Sequence, residues 1–166
     1  VCATASNPNK VWELKNFKEI IQYLSNEKDV QVIYIGAPSD KKTYDNIKFN
    51  GELKNTPINL CGQLNLQDSL AILSNVDLII GNDSGTLHMA SSVGTTVIGL
   101  YGPMPFEKWK ALGEKNILLK ANLDCMPCAL KGKCKNDHAC LKSITVESVK
   151  QAIDKILNQN IEKTPL

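Results

Sequence analysis

The alternation of apolar and amphipathic stretches constrains the fold of this chain more than any other feature. Short apolar runs, each long enough for one buried strand, alternate along the 166 residues with stretches whose apolar side chains recur every three or four positions. Strands that alternate with helices in this way form a parallel sheet with helices on both faces. The sequence therefore predicts an α/β domain of three layers, with a parallel sheet between two layers of helices.

The individual elements can be placed along the chain. We expect strands at residues 1–5, 30–35, 58–60, 78–81, 96–101 and 117–120, and helices at residues 16–26, 40–48, 66–75, 86–93 and 146–158. Ser39 is expected to cap the second helix, and Thr145 the last. The third helix is expected to turn Leu66, Leu70 and Leu73 inward.

Four loops follow the carboxyl ends of predicted strands, where such sheets bind their ligands. They comprise residues 6–10, 36–40, 61–65 and 81–85. The last loop and the helix after it read GNDSGTLHMA. This junction contains more polar chemistry than a connection needs, because a turn and an N-cap would suffice.

The start of that helix is suited to bind a phosphate. Its first backbone N–H groups are unpaired and carry partial positive charge. Gly85 leaves the backbone open to an anion, Ser84 can donate a hydroxyl hydrogen bond, and His88 lies one turn further on the same face. Asp83 would repel a phosphate and is expected to accept hydrogen bonds from sugar hydroxyls. Taken singly, Ser84 is equally an N-cap, His88 a core histidine and Asp83 a turn former.

The first of the four loops supplies a cation. Lys10 follows a polar turn and precedes Trp12, whose side chain is expected to pack beneath the loop. A lone lysine is ordinarily a solvated surface charge. At the same crevice as the helix after Ser84, however, Lys10 would neutralise a diphosphate.

This combination resembles the C-terminal half of the lipopolysaccharide heptosyltransferase family, glycosyltransferase family 9, which uses ADP-heptose. The most specific match is residues 81–103, GNDSGTLHMASSVGTTVIGLYGP. A second is Lys10 with Trp12, behind a small-residue loop that ends in Ser6, and a third is residues 60–73, LCGQLNLQDSLAIL. The similarity covers the chain from its first residue to about residue 157.

The resemblance implies an inverting glycosyltransferase of the GT-B architecture, in which two Rossmann-like halves face each other across a cleft. Residues 1–166 would form the half that binds the nucleotide-sugar donor, with a cysteine-rich loop at 121–142, and the N-terminal, acceptor-binding half would be absent. The residues that match donor-contacting positions of the family are Ser6, Lys10, Asp40, Leu64, Asp83, Ser84, Gly85 and His88.

The resemblance also implies a role for each of these residues. The diphosphate would be held by Lys10, Ser84, Gly85 and His88, with Ser6 assisting. The sugar would contact Asp83, the base would lie against Leu64, and the ribose would lie near Asp40. Lys10 and Asp83 would be the catalytic residues of this half, and no metal or other cofactor would be required for catalysis.

The implied reaction is transfer of heptose from ADP-heptose to the core of lipopolysaccharide or lipooligosaccharide, in the cytoplasm at the inner face of the inner membrane. The general base of the family belongs to the other half, so we expect this chain alone to bind the donor without turning it over. None of these candidate residues recognises a feature that is specific to heptose. A GT-B transferase for a different nucleotide sugar therefore stays open.

Four cysteines lie close together within residues 121–142. Cys125, Cys128, Cys134 and Cys140 follow the pattern C-x2-C-x5-C-x5-C. Four thiolates can hold a structural zinc ion, and C-x2-C is a common half-site, although the later spacings match no familiar zinc ribbon. Free thiols in a compact loop are the alternative. A non-enzymatic zinc module that binds protein or nucleic acid is therefore a second class of function.

Charge and hydropathy restrict the remaining classes. The formal net charge of +2 is too small to favour nucleic acid or an anionic membrane surface. No apolar run approaches the roughly 18 residues that a membrane-spanning helix needs. We therefore expect a cytoplasmic protein with no nucleic-acid partner and no transmembrane segment.

Overall fold

The computed structural model describes residues 1–161. Its strands are β1 (Ile33–Tyr34), β2 (Ile58–Asn59), β3 (Leu78–Asn82), β4 (Thr96–Tyr101) and β5 (Ile117–Lys120). Its α-helices are α1 (Leu14–Asn26), α2 (Lys41–Asp45), α3 (Leu66–Asn75), α4 (Gly85–Ser92), α5 (Phe106–Trp109), α6 (Ala139–Lys142) and α7 (Val146–Ile161). Two 3-10 helices, Pro8–Lys10 and Pro38–Asp40, precede α1 and α2.

The strands are parallel and form two sheets, β1-β2 and β3-β4-β5. Residues 1–3, here called the opening segment, lie between them. On one side Val1 exchanges backbone hydrogen bonds with Ile33 and Ile35, at 2.6 and 3.2 Å. On the other side Cys2 bonds to Ile80 at 2.8 Å and to Asn82 at 3.3 Å. Counting the opening segment as the first strand, the order is 3-2-1-4-5-6, which is typical of dinucleotide-binding folds.

Helices cover both faces of this sheet, as the sequence predicted. Alternate residues of β3 and β4 point to opposite faces. Ile80 and Ile98 pack into one core with side chains of α1 and α7, whereas Ile79 and Val97 pack into a second core with side chains of α3 and α4. The three-layer α/β arrangement with a parallel sheet is therefore confirmed.

Several predicted bounds were wrong. The strand expected at residues 1–5 is reduced to a single bridge at Cys2, because the chain leaves the sheet to form the loop that contains Lys10. The strand expected at residues 30–35 is shortened to Ile33–Tyr34. The helix expected at 86–93 begins at Gly85, and the last helix extends to Ile161 instead of ending at 158.

The predicted cap and one inward side chain were also wrong. Ser39 caps no helix, because it lies inside a 3-10 helix whose start is closed by a hydrogen bond from the Ala37 N–H to the Asp40 carboxylate, at 2.8 Å. Leu66 is 65% exposed because it is the first residue of α3, whereas Leu73 is buried as expected. The Thr145 cap is confirmed by a 3.1 Å hydrogen bond from the Ser148 N–H to its hydroxyl.

In the part of the chain that the structure describes, no helix is both long enough and apolar enough to cross a membrane.

Candidate functional site

An open crevice of about 940 Å³ lies at the carboxyl ends of the strands. It is lined by the loops that follow the opening segment, β1, β2 and β3, and so lies where the strand order reverses. The eight binding residues expected from the sequence all line it, and they are Ser6, Lys10, Asp40, Leu64, Asp83, Ser84, Gly85 and His88. The fold thus brings together side chains from four separate loops.

The best-defined polar contact in the crevice is an ion pair between Lys10 and Asp83. The Lys10 ammonium lies 3.0 Å from a carboxylate oxygen of Asp83, and the two side chains are only 17% and 6% exposed. A carboxylate this deeply buried is stable only when it is paired. From the sequence, Lys10 was expected to contact a diphosphate and Asp83 a sugar. An ion pair between the two residues was not predicted.

Local hydrogen bonds and a buried tryptophan hold the loop that contains Lys10 in place. Asn7 caps the 3-10 helix Pro8–Lys10 by accepting a hydrogen bond from the Asn9 N–H at 2.9 Å. Trp12 follows and is fully buried, and its indole N–H donates to the Ile144 carbonyl at 2.8 Å. The prediction that Trp12 packs beneath the loop is confirmed.

The hydroxyl of Ser84 does not cap α4, although Ser84 is the residue before that helix. The backbone at Ser84 is extended, and its hydroxyl oxygen lies 3.8 Å from the buried Cys2 thiol. The interpretation of Ser84 as a side-chain N-cap was therefore wrong. The hydroxyl and the first N–H groups of α4 remain at the crevice wall.

Two glycines near this wall have different structural roles. A Cβ placed on Gly81 would meet the Cys2 carbonyl oxygen at 2.6 Å, so glycine is required there by the close approach of the opening segment. A Cβ placed on Gly85 would meet no heavy atom of the described residues within 4 Å. Packing therefore does not explain Gly85, which borders the crevice.

The remaining candidate residues line the crevice at different depths. His88 is half-buried on the crevice side of α4, so the alternative of a core histidine was wrong. Asp40 stabilises its own loop, because its carboxylate accepts the hydrogen bond from the Ala37 N–H. Trp109 also lines the crevice and is 41% exposed. Trp109 was not predicted from the sequence, because a single aromatic residue beyond a strand carries no distinctive pattern.

The four clustered cysteines lie around a cavity of about 200 Å³. Cys125, Cys128 and Cys134 are exposed, whereas Cys140 is buried. Burial, together with the neighbouring thiols, raises the pKa of the Cys140 thiol. Among residues 1–161, no three His, Cys, Asp or Glu side chains are arranged to hold a metal ion.

The other two cysteines, Cys2 and Cys61, are free, buried thiols. Burial raises the pKa of Cys61 to about 12, so this thiol stays protonated and unreactive near neutral pH.

The strand order and a crevice at the reversal point place the chain among Rossmann-like α/β domains. More particularly, the chain belongs to glycosyltransferase family 9, the heptosyltransferases, because the model of that family matches residues 1–139.

Individual relatives agree with this membership. The lipopolysaccharide core heptosyltransferase OpsX of Haemophilus influenzae is 32% identical over 97 residues, which are 58% of this chain and 28% of that protein. Lipooligosaccharide heptosyltransferase 2 of Campylobacter jejuni is 23% identical over 152 residues, which are 91% of this chain and 48% of the relative. The chain thus spans at most about half the length of these relatives.

Solved structures share the fold. The chain is similar to the ADP-heptose lipopolysaccharide heptosyltransferase II of Escherichia coli, with a TM-score of 0.81 and 24% identity over 96% of this chain and 46% of that one. It is also similar to TibC, described as an iron-containing dodecameric glycosyltransferase of Escherichia coli, with a TM-score of 0.72 and 17% identity over 95% of this chain and 44% of that one.

The contrast between the two glycines predicts opposite effects of the same substitution. Gly85→Ala should leave the free energy of unfolding unchanged or raise it by up to ~1 kcal/mol, because alanine favours a helix and meets no obstacle. Gly81→Ala should lower it by about 1–3 kcal/mol, because the methyl group must displace the opening segment. Urea denaturation of both variants measures this, and a destabilised Gly85→Ala would show that packing requires Gly85.

Proposed function

We propose that this chain is the donor-binding half of a heptosyltransferase, and that its crevice binds a nucleotide diphosphate sugar, ADP-heptose. One observation carries the proposal: the Lys10 ammonium and the N-terminus of α4 line the same crevice, and Asp83 links them. An ammonium group beside the open end of a helix is a suitable site for a diphosphate.

The ligand is oriented by the chemistry of the crevice wall. The diphosphate lies at the start of α4, where the backbone at Gly85, the Ser84 hydroxyl and His88 provide donors, and Lys10 and Ser6 approach from the first loop. Asp83 accepts hydrogen bonds from the sugar.

The nucleoside occupies the other side of the crevice. Leu64 packs against the base, and Asp40 lies near the ribose. Leu64 is half-buried against the second core, so it offers a fixed apolar surface.

The proposed reaction is a single displacement that inverts the anomeric carbon. The acceptor hydroxyl oxygen bonds to that carbon, the bond from the carbon to the β-phosphate oxygen breaks, and the departing ADP keeps the electron pair. Negative charge therefore grows on the β-phosphate, where Lys10 and the start of α4 stabilise it. Preorganised donors of this kind contribute several kcal/mol to catalysis.

Asp83 contributes to this preorganisation. Because its carboxylate already holds Lys10 at 3.0 Å, the ammonium group needs little rearrangement when the diphosphate arrives. The acceptor proton goes to a base that we assign to the other half of the enzyme. The proposed mechanism draws its positive charge from Lys10 and the helix terminus and so requires no divalent ion.

The names of the relatives support our proposal for the identity of the acceptor. They are heptosyltransferases of the lipopolysaccharide or lipooligosaccharide core, so we propose that the complete enzyme transfers heptose to that core at the inner face of the inner membrane. The acceptor binds through the half that this chain does not contain.

Lys10→Ala should weaken ADP binding at least tenfold and adenosine binding less than twofold. A charge-assisted hydrogen bond contributes about 1.5–3 kcal/mol, and only ADP carries the phosphates that Lys10 would contact. Isothermal titration calorimetry with both ligands measures this. Lys41→Ala is the control, since Lys41 is an exposed lysine paired with Asp45 outside the proposed phosphate contacts.

If Lys10→Ala weakened ADP binding and adenosine binding equally, Lys10 would not contact the phosphates. A further titration with a short oligonucleotide tests the alternative of a zinc module, because a nucleic-acid-binding module would saturate with the oligonucleotide instead of ADP.

The isolated chain should bind ADP-heptose without transferring heptose. The base and the acceptor site are assigned to the other half, so mixing this chain with donor and lipopolysaccharide acceptor should release no ADP above the background hydrolysis rate. A coupled assay for ADP measures the rate. Detectable heptose transfer by residues 1–166 alone would contradict the assignment of the base and the acceptor site to the other half.

We further propose that the four clustered cysteines close around a structural metal ion. The donor set suits zinc, and a structural neighbour is described as iron-containing. The observed arrangement is not yet a ligand cage, so the loop at residues 121–142 must tighten when the metal binds. No catalytic step depends on this ion.

Elemental analysis of the purified chain should find one zinc or iron ion per molecule, reduced to less than a tenth by Cys128→Ser. Cys61→Ser is the matched control, because Cys61 is buried in another part of the molecule and should leave the metal content unchanged. Substoichiometric metal in the unsubstituted chain would mean that the cysteines are free thiols.

A further inference from the structure

We propose that Asn82 is a positioning residue that determines where the Lys10 ammonium stands in the crevice. This inference rests on the proposed contact between Lys10 and a diphosphate. Asn82 does not contact the ligand in this proposal and acts only through the loop that contains Lys10.

Asn82 holds the backbone of that loop by a single buried hydrogen bond. It is the last residue of β3 and is fully buried. Its side-chain oxygen accepts a hydrogen bond from the backbone N–H of Trp12 at 2.8 Å, and the two residues are 70 positions apart in the sequence. The Asn82 backbone N–H is bonded to Cys2 at 3.3 Å, so the acceptor itself is fixed to the sheet.

The attached point on the loop is equally fixed. The Trp12 side chain is fully buried and packs edge-to-face on Phe17, with ring centroids 5.1 Å apart. Its indole N–H bonds to the Ile144 carbonyl, as described above. Lys10 is only two residues away, and the Val11 backbone between them is extended. Two residues span at most ~7 Å, so the position of Trp12 restricts that of Lys10.

Consecutive residues at the end of β3 thus hold two points of one loop. Asn82 holds the backbone after Lys10, and Asp83 holds its ammonium group. A charged side chain fixed at both ends loses little conformational freedom when it binds an anion. The pair therefore converts a flexible lysine into a preorganised cation.

The energetics of Asn82 agree with this role. Its amide N–H₂ is buried and has no hydrogen-bond partner among the described residues. A buried donor without a partner is energetically unfavourable. The side chain thus leaves its donor unused, and its acceptor is the part that holds the loop.

A double-mutant cycle tests the proposal. Asn82→Leu removes the acceptor and keeps the number and branching of side-chain heavy atoms, and Lys10→Ala removes the cation. Calorimetry on the unsubstituted chain, both single variants and the double variant gives the ratio of adenosine to ADP dissociation constants. We expect Asn82→Leu to lower this ratio at least fivefold. The double variant should match Lys10→Ala alone, because Asn82 acts through Lys10.

A matched control separates positioning from general stability. Ser25 is also fully buried and hydrogen-bonds to Asn55 at 3.0 Å, at the far end of α1. Ser25→Ala should lower the free energy of unfolding and leave the ligand ratio unchanged. If Asn82→Leu does not fold, Asn82→Ser, which shortens the acceptor, replaces it in the cycle.

An unchanged ratio in the Asn82 variant, or losses that add in the double variant, would overturn the proposal while leaving the proposed function intact. If the unsubstituted chain binds ADP no better than adenosine, the diphosphate site itself fails, and the role of Asn82 fails with it.

Discussion

The insertion of residues 1–3 between β1 and β3 is the constraint on which the rest of this structure depends. Hydrogen bonds on both sides of the opening segment join two short parallel sheets into one. Because residues 1–3 occupy the centre of the sheet, the strand order reverses there, and the loop after the opening segment emerges beside the end of β3. Gly81 permits this close approach, since any larger residue would collide with the Cys2 carbonyl.

The buried ion pair of Lys10 and Asp83 follows from that placement. Asp83 directly follows β3, and Lys10 lies in the loop that follows the opening segment, so the two side chains meet in the crevice. The carboxylate is nearly inaccessible to solvent, and the ammonium group that compensates it faces the crevice. An anion arriving there meets a cation already in position, beside the unpaired N–H groups of α4. This arrangement is the physical basis for the proposal that the site binds a diphosphate donor.

Much of the site was predictable because its residues follow strand ends, and strand ends are recognisable in an α/β sequence. The ion pair was not, since it joins residues that are distant in sequence and whose charges were each assigned to a ligand. Ser39 and Leu66 illustrate the limits of local rules. A 3-10 helix closed by Asp40 displaces the predicted cap, and the exposure of Leu66 depends on its place at the start of α3. Asn82 carried no signal, because nothing local indicates that its oxygen holds Trp12.

The sequence by itself determined the α/β class, the parallel three-layer arrangement and the four loops that meet at the crevice, because apolar periodicity and the polar loops at strand ends are local properties of the chain. Only the tertiary structure decided which of those loops touch, that Lys10 pairs with Asp83, and that Trp12 is held by Asn82. These contacts form between residues about 70 positions apart in the sequence. Their geometry depends on how the central strands lie side by side, and hydrogen bonding between strands settles that only when the whole sheet has assembled.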